Sequence, residues 1–232
     1  MQIVIERDYQ QFSNAAAGIV AAELTNHPAL RLCLPTGNTP IGMYGELIRR
    51  HQSEGLDFSQ AVFFNLDEYL GLPRWHPQSF RTYLWRRFFD HVNVTATNIH
   101  APDERYEETI RDAGGIDLAI LGIGSNGHVA FNEPGSPLDS RTRIVELAPS
   151  TIEGMRANFP PEELPRSAIT VGLATILDAR RILVLVSGER KSDILRRTLT
   201  EPVSPTLPAS VLQQHPNVTV IADAAAAPKL PS

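Results

Sequence analysis

The sequence predicts an α/β protein: an open, doubly wound, mostly parallel sheet with helices on both faces, Rossmann-like in its rhythm. Three observations carry this. Short apolar runs recur along the 232 residues, and amphipathic stretches of helical period lie between several of them. Most runs are continuously apolar rather than alternating, as strands covered on both faces must be. Polar segments follow several runs on their carboxyl side, where open α/β sheets bind ligands.

Taken in order, "QIVIE" (2–6) is the first strand, and residues 8–24, "DYQQFSNAAAGIVAAEL", form an amphipathic helix. "LRLCLP" (30–35) is the second strand; Pro40 suits the first turn of the helix expected over 40–50. "AVFFNL" (61–66) precedes a helix over 79–92, and "IDLAILG" (116–122), "RIVEL" (143–147) and "AITVGL" (168–173) are further strands. "RILVLVS" (181–187), a helix over 191–199 and "VTVIA" (218–222) complete the pattern. Residues 148–167 combine a short helical pattern with Pro160-Pro161 and read as a mobile flap over a site. "EPVSPTLPAS" reads as a loop and "ADAAAAPKLPS" as a terminal tail of little structure. No linker divides the chain, so one α/β domain over 1–232 is expected.

The composition, 42% hydrophobic and 20% charged, is that of an ordinary globular protein. The net charge of −5 has the wrong sign for general affinity to nucleic acid or an anionic membrane. An anionic ligand therefore needs a local cationic pocket. Cys33, the only cysteine, rules out an intrachain disulfide or a multi-cysteine zinc site and reads as a small buried hydrophobe. The start "MQIVIERDYQ" shows no leader, and no apolar run reaches the length of a bilayer, so a cytoplasmic protein is expected.

The segment "GIGSNGHVAFNEPG" (122–135) sets Gly122, Gly124 and Gly127 in GxGxxG spacing. A dinucleotide fingerprint needs that loop to open a helix, and Pro134-Gly135 leaves room for barely two turns. The glycines are better read as sharp turns or close backbone approach. His128 shuttles protons near neutral pH if a carboxylate or amide fixes its tautomer, and Asn126 and Glu133 flank it. A structural histidine in a turn is the plainer alternative. Asp67 ends a very apolar strand; desolvation there raises a carboxylate toward the range of a general base, although a helix-capping aspartate fits the same position. Asp67, His128 and Glu133 lack the spacing of a metal site.

"LPTGNTP" is a strand–loop–helix junction. Thr36, Gly37, Asn38 and Thr39 either collect phosphate oxygens with help from the helix dipole or simply cap the helix. Without the lysine of a P-loop, a sugar monophosphate fits better than a nucleoside triphosphate. Lys191 opens a helix, where a cation opposes the dipole; a bound anion would resolve that conflict.

With these loops assembled, the sequence resembles the glucosamine-6-phosphate deaminase family. The matching segments are "LPTGNTP", "FFNLDEYLGL", "HPQSFRTYLWRRFFDHV", "LGIGSNGHVAFNEPGS", "SRTRIVEL", "ITVGLATILDA" and "LQQHP". They cover most of the chain in order, and "NLDEY" with "GHVAFNEP" is the most specific. The resemblance implies conversion of glucosamine 6-phosphate and water to fructose 6-phosphate and ammonia, with neither metal nor organic cofactor. It implies that His128 opens the sugar ring with Asn126 and Glu133 in support. Asp67 then moves a proton between C2 and C1, and Thr36–Thr39 with Lys191 hold the phosphate.

Two departures stand out. Asn126 occupies a position where relatives carry Asp or Asn, so any charged relay rests on Glu133. Arg156 in "GMRANF" sits one residue away from the family's phosphate-binding arginine. The chain also ends soon after "VTVIAD", short of hexameric, allosteric relatives, so simple kinetics are expected. Deamination of galactosamine 6-phosphate, hydrolysis of 6-phosphogluconolactone and a non-enzymatic sugar-phosphate sensor are the rival readings. Monomer and homo-oligomer are equally compatible with the sequence.

Overall fold

Strands that are apolar on both faces need helices on both faces, and the chain supplies them. The computed structural model describes residues 1–156 and 159–228; residues 157 and 158 of the expected flap and 229–232 of the expected tail lie outside them. The elements are β1 (Gln2–Glu6), α1 (Tyr9–Asn26), β2 (Arg31–Leu34), α2 (Ile41–Glu54), β3 (Val62–Asn65), β4 (Asp67–Tyr69) and α3 (Phe80–Arg87). There follow β5 (Ile99–His100), α4 (Tyr106–Asp112), β6 (Leu118–Gly122), β7 (Arg143–Glu146), α5 (Pro149–Met155), β8 (Ser167–Thr170), α6 (Leu173–Leu177), β9 (Arg181–Val186), α7 (Ser192–Thr200) and β10 (Val218–Asp223).

Seven strands form a parallel sheet in the order β1-β10-β9-β6-β2-β3-β5. Period-2 alternation divides their side chains. Leu32, Leu34, Phe63, Ile120, Leu183 and Ile221 pack with α1, α2 and α3. Cys33, Phe64, Ala119, Leu121, Val184 and Val220 pack with α4, α6 and α7 on the other face. Cys33 is fully buried, as expected of a small hydrophobe. Asp8 caps α1 through Gln11 N (2.9 Å) and Ser79 caps α3 through Thr82 N (3.1 Å), which fixes where both helices begin.

The strands "RIVEL" and "AITVGL" depart from the expected place. They form β7 and β8 of a separate antiparallel sheet, ordered β4-β8-β7. The exposed Ile144 and Glu146 and the half-buried Arg143 show why β7 does not enter the large sheet: it has one apolar face at most. Leu66 joins the two sheets, its N–H reaching Leu34 O (3.4 Å) and its carbonyl taking Val171 N (2.8 Å). The start of the expected terminal tail is more ordered than its composition suggests: Asp223 ends β10 buried and accepts from Ser187 Oγ (2.5 Å) and Gly188 N (3.0 Å).

Candidate active site

The chain leaves β2 in one direction and β6 in the other, and the crevice between them is the position where open α/β sheets take ligands. A cavity of about 280 Å³ opens there, at the carboxyl ends of β2, β3 and β6. Thr36, Gly37, Asn38, Thr39, Asp67, His128 and Lys191 line it. Of the residues singled out in the sequence, Asn126 and Glu133 stand behind this lining and act on it through other groups.

The loop after β2 is held from outside by tyrosines. Tyr44 donates to Pro35 O (2.6 Å), Tyr83 to Gly37 O (2.5 Å) and Tyr9 to Thr39 O (3.1 Å). Tyr9 Oη also accepts from Gly42 N (2.9 Å). The carbonyls of Pro35, Gly37 and Thr39 are thus occupied, while the N–H groups of Gly37, Asn38 and Thr39 have no internal partner among the described residues. Unpaired N–H groups at the start of a helix attract an anion. Lys191 faces the same space, half-buried, its Nζ donating to Ile123 O (2.6 Å), and burial lowers its pKa. An ammonium has three donors, so that one bond leaves two for a ligand.

Asp67 is 7% exposed, and among the described residues its carboxylate has neither a hydrogen bond nor an ion pair. Burial, and to a lesser degree the neighbouring Glu68, push its pKa up to about 8. Glu68 does not share the cavity. Its carboxylate accepts from Phe80 N (2.9 Å) and Arg81 N (2.8 Å), so it seals the start of α3.

The loop after β6 carries the imidazole. An added Cβ at Gly124 would lie 2.3 Å from His128 Cε1, and Gly127 has φ +91° with Leu207 packed against it, so neither position accommodates a side chain. No helix follows, which removes the basis for a dinucleotide site. Ala130 adopts φ 52°, uncommon for a residue with a Cβ. Fully buried Asn132 holds this turn, donating to Val129 O (3.0 Å) and Val171 O (2.8 Å) while accepting from Arg143 Nη1 (2.8 Å).

Behind the imidazole, His128 Nδ1 lies 3.5 Å from Glu133 Oε2. Asn126 Nδ2 donates to that same oxygen (2.6 Å), and Asn126 Oδ1 accepts from the backbone N–H of His128 (3.1 Å). Asn126 therefore orients the ring through Glu133 and the main chain, without touching it. Thr151 Oγ1 donates to the other carboxylate oxygen (2.9 Å). His128 above all, then Asn126 and Thr151, hold Glu133 down at about 2 against the opposing effect of its burial.

The expected flap lies against this group. Met155, Phe159 and Leu147 pack with Phe131, Tyr69 and Phe80 in an apolar cluster beside the cavity. Arg156 is absent from the cavity wall; it is exposed and pairs with Glu153 Oε2 (2.6 Å). Sequence reasoning missed the three tyrosines, Glu68, Asn132 and Thr151. Among the described residues no three His, Cys, Asp or Glu side chains gather to hold a metal ion, and no helix is long and apolar enough to cross a membrane.

Residues 7–221 match the sequence model of the family described as glucosamine-6-phosphate isomerases/6-phosphogluconolactonase. The chain is 46% identical to a glucosamine-6-phosphate deaminase of Halothermothrix orenii, with 98% of this chain and 99% of that one aligned. It is 42% identical to glucosamine-6-phosphate deaminase 2 of Bacillus subtilis, covering 100% and 98% of the two chains. The solved structure of a monomeric glucosamine-6-phosphate deaminase superposes with a TM-score of 0.93 at 38% identity, over 97% of this chain and 98% of that one. A 6-phosphogluconolactonase from Trypanosoma brucei shares the fold, with a TM-score of 0.77 at 19% identity over 97% of each chain.

Proposed function

We propose that the chain, which belongs to the family of glucosamine-6-phosphate isomerases and 6-phosphogluconolactonases, acts as a glucosamine-6-phosphate deaminase and that its residues divide the work as follows. The substrate phosphate sits on the N–H groups of Gly37, Asn38 and Thr39, beside the ammonium of Lys191. Anchoring a charged group remote from the reacting carbons supplies positioning for the chemistry.

His128 opens the pyranose by moving a proton from the anomeric hydroxyl to the ring oxygen, and Glu133 supports the transient imidazolium. Asp67 takes the proton from C2 of the open aldehyde form and returns it to C1. As a proton passes from the C2 amine to the C1 oxygen, the amine becomes an imine and the aldehyde an alcohol; water then adds to the imine and ammonia leaves, giving fructose 6-phosphate. One water is consumed and one ammonia released, so atoms balance without a further reactant.

The observation that carries this reading is the buried, unpartnered carboxylate of Asp67 in the same cavity as His128 and the anion-binding loop. A coupled assay of ammonia and fructose 6-phosphate release by the purified protein tests it. Galactosamine 6-phosphate and 6-phosphogluconolactone, assayed in parallel, measure the rival substrates. Absence of ammonia from either amino sugar would sink the reading.

The phosphate assignment has its own test. Lys191→Met is expected to raise KM roughly tenfold or more, the worth of a hydrogen bond to a charged group. Arg156→Ala should leave KM within about twofold, since its guanidinium is engaged by Glu153 at the surface. Tyr83→Phe frees the Gly37 carbonyl and should raise KM about threefold to tenfold with kcat little changed. Steady-state kinetics of the three variants check all of this.

The similar solved structure is described as that of a monomeric glucosamine-6-phosphate deaminase. We read this chain in the same way, with hyperbolic kinetics; sigmoidal rate curves would overturn that.

A further inference from the structure

We infer that Thr151 is a positioning residue for the acid–base chain: through Glu133 it makes the alignment of His128 conditional on the seating of α5, beside the cavity. The inference rests on the reading of Glu133 and His128 given above.

Glu133 has two carboxylate oxygens with separate duties. Oε2 takes Asn126 Nδ2 (2.6 Å) and faces His128 Nδ1 (3.5 Å). Both of those groups belong to the same loop as Glu133. Oε1 takes Thr151 Oγ1 (2.9 Å), the one partner among the described residues that comes from another element. A carboxylate held only through Oε2 still rotates about its own axis and swings its near oxygen off the imidazole. The hydroxyl on Oε1 removes that freedom, at the cost of tying the carboxylate to α5.

The tie has a defined seat. Thr151 stands in the first half of α5 (Pro149–Met155), and α5 is fastened by Met155 and Ile152 in the cluster with Phe131, Phe159 and Tyr69. Phe131 is two residues before Glu133, and its N–H donates to Thr170 Oγ1 (3.1 Å) on β8. α5 and the catalytic loop therefore share both an apolar contact and a polar one. The apolar contact seats α5, and the polar one reports that seating to Glu133. Since a carboxylate must be oriented to favour one imidazole tautomer, a displaced α5 leaves the imidazole in place but badly served.

The test is a set of variants assayed by ammonia release from glucosamine 6-phosphate. Thr151→Val keeps the shape and removes the hydroxyl; Thr151→Ser keeps the hydroxyl. Thr151→Val is expected to lower kcat about tenfold, one hydrogen bond to a charged group, with KM within twofold. Thr151→Ser is expected to restore most of that loss. The deciding measurement is the cycle with Glu133→Ala: if Thr151 acts through Glu133, Thr151→Val has no further effect on kcat in that background. Full additivity of the two losses, or failure of serine to rescue, would overturn the inference in favour of a packing role. So would Thr151→Val activity equal to that of the parent. Thermal unfolding of each variant identifies any that is merely unfolded, and Thr151→Ser then decides alone: it keeps near-parent kcat if the hydroxyl is what matters. The parent's own ammonia release separates the two levels, because its failure would remove the underlying function and leave the geometry of Thr151 untouched.

Discussion

Asp67→Asn should lower kcat by roughly 10²- to 10⁴-fold, the usual contribution of a positioned proton-transfer group, while phosphosugar binding stays within a few-fold. The amide has the size of the carboxyl but cannot accept the C2 proton, and the anion loop and Lys191 are untouched. Isothermal titration with the substrate or an inert analogue measures the second half of that statement. The parent's rate should also depend on pH in a particular direction. With Asp67 pushed up to about 8 by burial, kcat/KM should climb as pH rises toward 8 and level off above it. The stability linkage runs the opposite way. The folded value lies above the ordinary 3.8, so the neutral form's contribution is complete below about 4 and is lost as pH rises through 8. Asparagine does not ionise. Asp67→Asn should therefore melt above the parent, by a margin that widens from pH 4 to 8 at no more than about 1.4 kcal/mol per pH unit. Turnover that survives the substitution, or a margin that does not change with pH, would remove Asp67 from the role of buried base.

His128→Gln is the second large effect, with kcat expected to fall about 10²- to 10³-fold. Ring opening then depends on water, and the later steps wait for the small open-chain fraction. The imidazole is also the main reason that Glu133 sits at about 2. A carboxylate held below its ordinary 4.5 contributes stability that is present above 4.5 and is lost as pH falls through 2. Without His128 part of that contribution disappears, so the difference in stability between parent and variant should shrink as acid is added between those values. Ammonia release and acid unfolding measure the two effects; a variant that retains a third of parental kcat would exclude His128 as the ring-opening group.

Strand-end chemistry was legible because it is local. A continuous apolar run followed at once by Thr36–Thr39, by Asp67 or by the 122–133 loop says both where a strand stops and which polar groups lie at its mouth. The second sheet was not legible as such: "AITVGL" reads as well for a strand of the large sheet, and only partner choice decides. Nor were the clamps. Tyr83 and Gly37 are 46 positions apart, Tyr9 and Thr39 are 30 apart, and a tyrosine that caps a distant carbonyl has no local pattern. Glu68 was not legible either, since its place beside Asp67 does not say that its carboxylate turns away to the backbone at the start of α3. Asn126 beside His128 suggested a direct contact, but the amide reaches the ring through a carboxylate five residues beyond His128 in the sequence.

The division into two sheets also bears on how the molecule fails. Asp67 begins the small sheet, and Glu133 is braced by Thr151 from the segment between β7 and β8. The small sheet rests on a modest apolar cluster, whereas the large one is sandwiched between two extensive ones. Regions with thinner burial open at lower free energy than the body of a protein. Dilute denaturant should therefore extinguish turnover while backbone dichroism is still native, and amides of β4 and β7 should exchange with deuterium ahead of those in β6 and β9. Efforts to toughen this catalyst would do best to begin at that weaker layer.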